Sequence, residues 1–173
     1  MRYKIIVILF AFLSVGFQSG KCDQQKEIKM SNQPLTIKAE CTGNEQCLFE
    51  GKDIFIDIKI INNTKSEIGF PLEFVKSKGP ITRLIDNKTK AETYVPTHPA
   101  NGSLIEKYTI IKPGESAVLE WVLTSGELQE FGGNVDVSAE FTIIAPVQVN
   151  KEKTDFRGSD TIRIVSKNKQ SNS

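Results

Sequence analysis

The chain holds very little with which to do chemistry. Its 173 residues include one histidine, one tryptophan and three cysteines. A Ser–His–Asp triad needs a positioned histidine, and the only one, His98, stands in a loop between Pro96 and Pro99 with no partner in view. A Cys–His pair needs a free thiol of lowered pKa; Cys22 lies in a polar tether and the other two are expected to be bridged. One histidine and one leftover cysteine cannot complete a zinc site, and no Asp-x-Asp-x-Asp-Gly calcium loop is present. Asp53 and Asp57 share one strand face, but two strand repeats set them roughly 13 Å apart, too far for a cooperating carboxylate pair. Excess charge is missing as well. Twenty-two Lys+Arg face twenty-one Asp+Glu, a net charge of +1, whereas a nucleic-acid binder needs a dense positive surface. The expectation is a non-enzymatic chain with no catalytic residues, no cofactor, no metal and no nucleic-acid partner.

The stretch IIKPGESAVLEWVL at 110–123 carries the residue types of a phosphate loop, Lys112, Gly114 and Ser116. Such a loop needs Gly-x-x-x-x-Gly-Lys-Ser/Thr opening into a helix. Here the lysine precedes the glycine. Pro113 and Gly114 are the residues of a type II turn, and Ala117, Leu119, Trp121 and Leu123 then alternate as one apolar strand face. Trp121 is expected in the core.

Long apolar runs are also scarce. The exception is 5–17, thirteen uncharged residues, short of the roughly 20 that a spanning helix needs. Arg2 and Lys4 precede it and Ser19 and Gly20 follow, the order of a secretory signal; a membrane anchor is the competing reading. Loss of 1–20 removes two basic residues and leaves a net charge of −1. In an exported chain, Cys41 and Cys47, separated by TGNEQ, read as a disulfide rather than a metal pair. Cys22 is left over. It stands where bacterial lipoproteins carry an acylated cysteine, although in SGKC only Gly20 fits that pattern. A lipid anchor on Cys22 would hold the protein at a membrane; an exposed thiol, or loss on processing, is the alternative. The expected localisation is the periplasm or cell envelope.

What is abundant is period-two alternation. Ile54, Ile56, Ile58 and Ile60 share one face, as do Val135, Val137, Ala139, Phe141 and Ile143, and Ile162 with Ile164. IGFPLEFV (68–75) reads as an edge or bulged strand because of Pro71, and 81–95 reads as a hairpin. The segment 124–134 offers one helical turn, with Ser125 as its cap and Leu128 and Phe131 on one side. NKEKTDFRGSD (150–160) reads as a charged loop. The pattern is all-β: an immunoglobulin-like antiparallel β-sandwich of about seven to nine strands. The expected division is a signal peptide at 1–20, a polar tether at 21–33, the sandwich at 34–166 and a disordered tail at 167–173. Asn62, Asn87 and Asn101 begin Asn-x-Ser/Thr sequons in expected turns. They serve glycosylation in a eukaryote or turn chemistry in a bacterium, and the signal and Cys22 favour a bacterium.

INNTKSEIGF and IIKPGESAVLEW together resemble the BsuPI-type proteinase inhibitor domain, a bacterial immunoglobulin-like fold, over about residues 50–125. The resemblance implies the sandwich fold, with inhibition of an enzyme as a family expectation. The Asn-Pro-Thr-Thr-Gly loop of chagasin-type inhibitors is absent. Two functions follow as expectations: an exported protein-binding module of the cell envelope, or a periplasmic inhibitor or immunity protein that blocks one hydrolase or toxin. Partner contact is expected through the loops 96–103 and 145–158, by His98, Asn101, Phe156 and Arg157, because aromatics and arginine anchor interfaces. Packing of Phe156 on the sandwich is the competing reading.

Overall fold

The four isoleucines at 54, 56, 58 and 60 are all buried, and the residues between them are exposed or half-buried. The same alternation builds most of the molecule. The computed structural model describes residues 33–43 and 46–167. The signal, Cys22, the tether up to residue 32 and all of the tail but Lys167 lie outside the described residues. In order, the elements are β1 (Leu35–Cys41), β2 (Leu48–Phe49), β3 (Ile54–Asn62), β4 (Ile68–Phe70), α1 (Leu72–Lys78), β5 (Ile81–Asp86), β6 (Glu92–Val95), a 3-10 turn (Gly102–Leu104), β7 (Thr109–Ile111), β8 (Ser116–Leu123), α2 (Ser125–Gln129), β9 (Asp136–Val149) and β10 (Glu152–Ser166).

The strands form two sheets. The small one is antiparallel, in the order β1-β3-β8. The large one is built around β9, which pairs with β10 along its length on one side and with β5 and β4 on the other. Beyond these lie β6 on β5, β7 on β4, and β2 parallel to the end of β10. The facing sides bury the isoleucines of β3 against Phe70, Phe141 and Phe156, so the fold is an all-β sandwich. Ten strands are present among the described residues, a few more than the alternation alone marks.

One flank of the sandwich is closed. β1 runs along β10. It can come close because position 158 is glycine: a Cβ there would stand 2.6 Å from the Phe156 ring and 3.0 Å from Ile37. The Ala39 amide donates to Asp160 Oδ2 at 2.8 Å across the gap. The Cys41–Cys47 disulfide, with Cα atoms 5.5 Å apart, ties β1 to the chain entering β2, and so ties the small sheet to the large one.

Two local expectations are corrected. Residues 72–78 are helix, not strand. Pro71, at the N-cap, gives up no needed donor there. Glu73 in the first turn and Lys76 and Lys78 in the last suit the helix dipole, and Leu72 and Val75, three apart, both face the core. The segment 152–160 is strand, not loop. Asn150 and Lys151 take φ of 51° and 69°, the two-residue type I′ geometry that suits a hairpin's twist, so pairing resumes at Glu152. The helical turn forms over Ser125–Gln129, with Leu128 buried. Its cap is Thr124 rather than Ser125, in a capping box with Glu127. The turn before β8 is as the sequence implies: the Glu115 amide bonds the Lys112 carbonyl at 3.0 Å, and Gly114 has φ 76°.

Candidate functional site

The fold brings the single histidine to the single tryptophan. Trp121 lies on β8 opposite Ile56 and turns toward the core side. β8 is the last strand of the small sheet, however, so the indole sits at the flank and is only half-buried. The end of α1 closes against it. At Gly79 a Cβ would be 2.4 Å from the ring, and the backbone there has φ 78°, so glycine alone fits on both counts. The His98 amide donates to the Lys78 carbonyl at 3.0 Å. This holds the exposed imidazole against Trp121, with ring centroids 6.4 Å apart and planes at 58°. Among the described residues Trp121 Nε1, Ser77 Oγ on α1 and, elsewhere, Tyr108 Oη are buried without a hydrogen-bond partner. Such groups cost stability, and two of the three lie on elements that pack together, α1 and β8.

Asn101 follows on the same loop. It is exposed, and its Oδ1 accepts the Ser103 amide at 3.0 Å to cap the 3-10 turn. The other two sequon asparagines are structural. Asn62 is fully buried, its Nδ2 donating to Ser66 O at 2.8 Å and Ile111 O at 2.9 Å. Asn87 donates to Asp136 Oδ1 at 3.0 Å and accepts from Ser138 Oγ at 2.8 Å.

Phe156 does not belong to a surface. It is 1% exposed and meets Phe70 edge-on at 6.5 Å. Once 152–160 is a strand, alternation turns Phe156 inward and Arg157 outward. Arg157 is exposed beside Ile144, which is 42% exposed, and has no carboxylate partner among the described residues. Arg157 lies on β10, beside β1; His98 lies at β8, on the far side of β3. The expected four-residue surface is therefore two separate places and one core residue. Trp121 as half of a surface pair was missed, because its alternation is that of a buried residue and nothing local says that β8 ends a sheet.

The sheet faces are laced with ion pairs. On the small sheet, Glu40 accepts from Lys59 at 2.6 Å and pairs with Lys38. Hydrogen bonds from Lys38 and Lys59 hold its carboxyl down at about 2. On the large sheet, Arg83 Nε donates to Glu140 at 3.0 Å and Arg163 Nε to Asp136 at 2.9 Å. A cleft of about 510 Å³ opens beside the disulfide, but its charged walls, Glu40 and Arg163, are already committed to these pairs. Among the described residues no three His, Cys, Asp or Glu side chains are placed to hold a metal ion.

No family model matches the chain, and no curated protein does. Solved structures give distant likenesses. A structural genomics target has a TM-score of 0.38 and 9% identity, with 78% of this chain and 86% of that one covered. A protein from Archaeoglobus fulgidus has 0.35 and 14%, with 77% and 98% covered. A late embryogenesis abundant protein has 0.35 and 13%, with 80% and 75% covered. TM-scores this low assign neither a family nor an activity.

Proposed function

We propose that this chain is an exported, non-enzymatic protein-binding module of a bacterial cell envelope, and that it holds its partner at the flank where His98 stands over Trp121. The observation that carries the reading is that pair: an exposed imidazole on a half-buried indole, locked from behind by Gly79 and the Lys78 carbonyl. Rigid aromatic groups at a surface are the usual anchors of protein interfaces. Among the described residues His98 has a ring contact but no carboxylate or nucleophile hydrogen-bonded to its ring, which favours contact over proton transfer. The disulfide supports passage through an oxidising compartment, and the signal-like start supports export.

The test is a C-terminally tagged chain, crosslinked in native cells, with wild type compared to His98→Ala. A stoichiometric protein that co-purifies with wild type and falls at least tenfold with the variant is the expected result. A partner retained in full by His98→Ala, or substrate turnover that the variant abolishes, would sink the reading. A single hydrolase or toxin inhibited in a one-to-one complex would make the module an inhibitor.

A further inference from the structure

We propose that the open edge of β8 pairs with the β8 of a second copy, joining two small sheets into one six-stranded sheet. The edges of this sandwich are guarded unequally. β2, β6 and β7 are edges of two, four and three residues, and short edges template little. β10 pairs β2 only at Val165 and Ser166, but the rest of it runs along β1 and begins with the charged Glu152, Lys153 and Asp155. β1 is covered by β10, the Asp160 side chain and the disulfide. β8 is eight residues long, SAVLEWVL, with one charge and no lysine or proline.

The bonding phase of β8 is fixed by its neighbours. Asn62 donates its amide to Glu115 O at 3.0 Å, and Thr42 donates to Phe55 O at 2.8 Å. Even-numbered residues of β3 therefore bond β8, and odd-numbered ones bond β1. In the register Ile60↔Ala117 and Ile58↔Leu119, the odd residues of β8 face β3 and the even ones face outward. The backbone groups of Ser116, Val118 and Glu120 have no hydrogen bond to another described residue. All three residues are exposed. α1 packs against β8, where Gly79 meets Trp121, so the open section is 116–120.

An open row of alternating N–H and C=O groups calls for an extended backbone, and a second copy supplies one whose side chains match. Antiparallel pairing about a two-fold axis is self-complementary by construction. Centred on Val118, it sets Val118 against Val118 of the second copy and Ser116 against Glu120, a hydroxyl facing a carboxylate. Centred on Glu120, it would oppose two like charges, which is unfavourable. The Val118 centre uses only 116–120 and leaves the Trp121 end free. A net charge near zero adds no self-repulsion.

The experiment is sedimentation and light scattering on the disulfide-intact mature chain from nanomolar to several hundred micromolar, with three variants. A reversible monomer–dimer equilibrium is expected. Val118→Pro blocks the edge without removing a bond to β3, since the Val118 amide faces outward, and Ser116→Glu sets a second carboxylate against Glu120. Each should weaken the dimer at least tenfold, with the thermal melt checked. Adding Glu120→Lys to Ser116→Glu should restore it, because only the Val118-centred register brings 116 to 120. If Val118→Pro melts, the charge pair decides alone. A monomer at every concentration, a dimer that neither Ser116→Glu nor Val118→Pro weakens, or a photocrosslinker at position 118 that joins only to an unlike protein, would overturn the proposal. A monomer would leave the His98 reading untouched.

Discussion

The Ala39 amide donates to the Asp160 carboxylate at 2.8 Å, a hydrogen bond between residues 121 apart in sequence. Ala39 sits on the outer edge of the small sheet and Asp160 on the core side of β10, opposite Phe141. An inward-pointing charge at a sheet edge is one way that β proteins stop an edge from pairing elsewhere. Here it also gives the amide of buried Ala39 its acceptor. Asp160→Ala should destabilise the fold by about 1–3 kcal/mol, because the Ala39 amide is left unpaired. Asp160→Asn, which keeps an acceptor oxygen, should cost less. Urea unfolding should show a lower midpoint at unchanged slope for both, and equal midpoints for Asp160→Ala and wild type would refute the role.

Asn62 ends β3 and ties three segments together. Its Nδ2 reaches Ser66 O and Ile111 O, and its Oδ1 accepts from the Thr64 amide at 2.9 Å and the Thr64 hydroxyl at 2.8 Å. Asn62→Ala should cost at least about 2 kcal/mol through orphaned buried groups. Asn62→Asp keeps the shape but turns a carboxylate toward two carbonyls, and it should be the worse of the two at neutral pH. Wild-type stability of Asn62→Asp in a urea melt would show that the shape of this residue, and not its donor, matters.

Glu40 sets a pH dependence whose sign is fixed. Lys38 and Lys59 lower its carboxyl from 4.5 to about 2 in the folded chain. A depressed carboxyl contributes stability above its unfolded value and loses it as pH falls through the folded one. The loss therefore lies between about pH 4.5 and pH 2, and Glu40→Gln should remove that part of the profile. The Glu40 side chain is 38% exposed, so salt should flatten the effect. A carboxyl carbon titration of Glu40 by NMR with a midpoint above 4 would contradict it.

Much of the fold was legible in the order of residues. Ile54 to Ile60, Val137 to Ile143, and Ile162 with Ile164 announce core faces, and all of them are buried. Pro113-Gly114 announces the turn before β8, and the Cys41–Cys47 pair forms. Charge was a poorer guide. KEKTD looks like a loop because Glu152, Lys153 and Asp155 are polar, yet they start a strand whose first four residues are all exposed. The cue that was there, an Asn at the first of two positive-φ positions, is weak without glycine at the second. Pro71 read as a strand bulge, although Leu72 and Val75 carry helical spacing over the one short turn available.

The sequence by itself determined the inward faces of the clearly alternating strands, because a period of two leaves one apolar face and burial of that face outweighs most local preferences. It also determined the disulfide, the main turns and the scarcity of reactive groups. Tertiary structure decided which strands are edges, because sheet order depends on pairings between residues far apart in sequence. That order closes β1 against β10 through Asp160 and, among the described residues, leaves β8 without a second strand. It sets Phe156 in the core and Arg157 outside, and it brings His98 to Trp121 across 22 intervening residues.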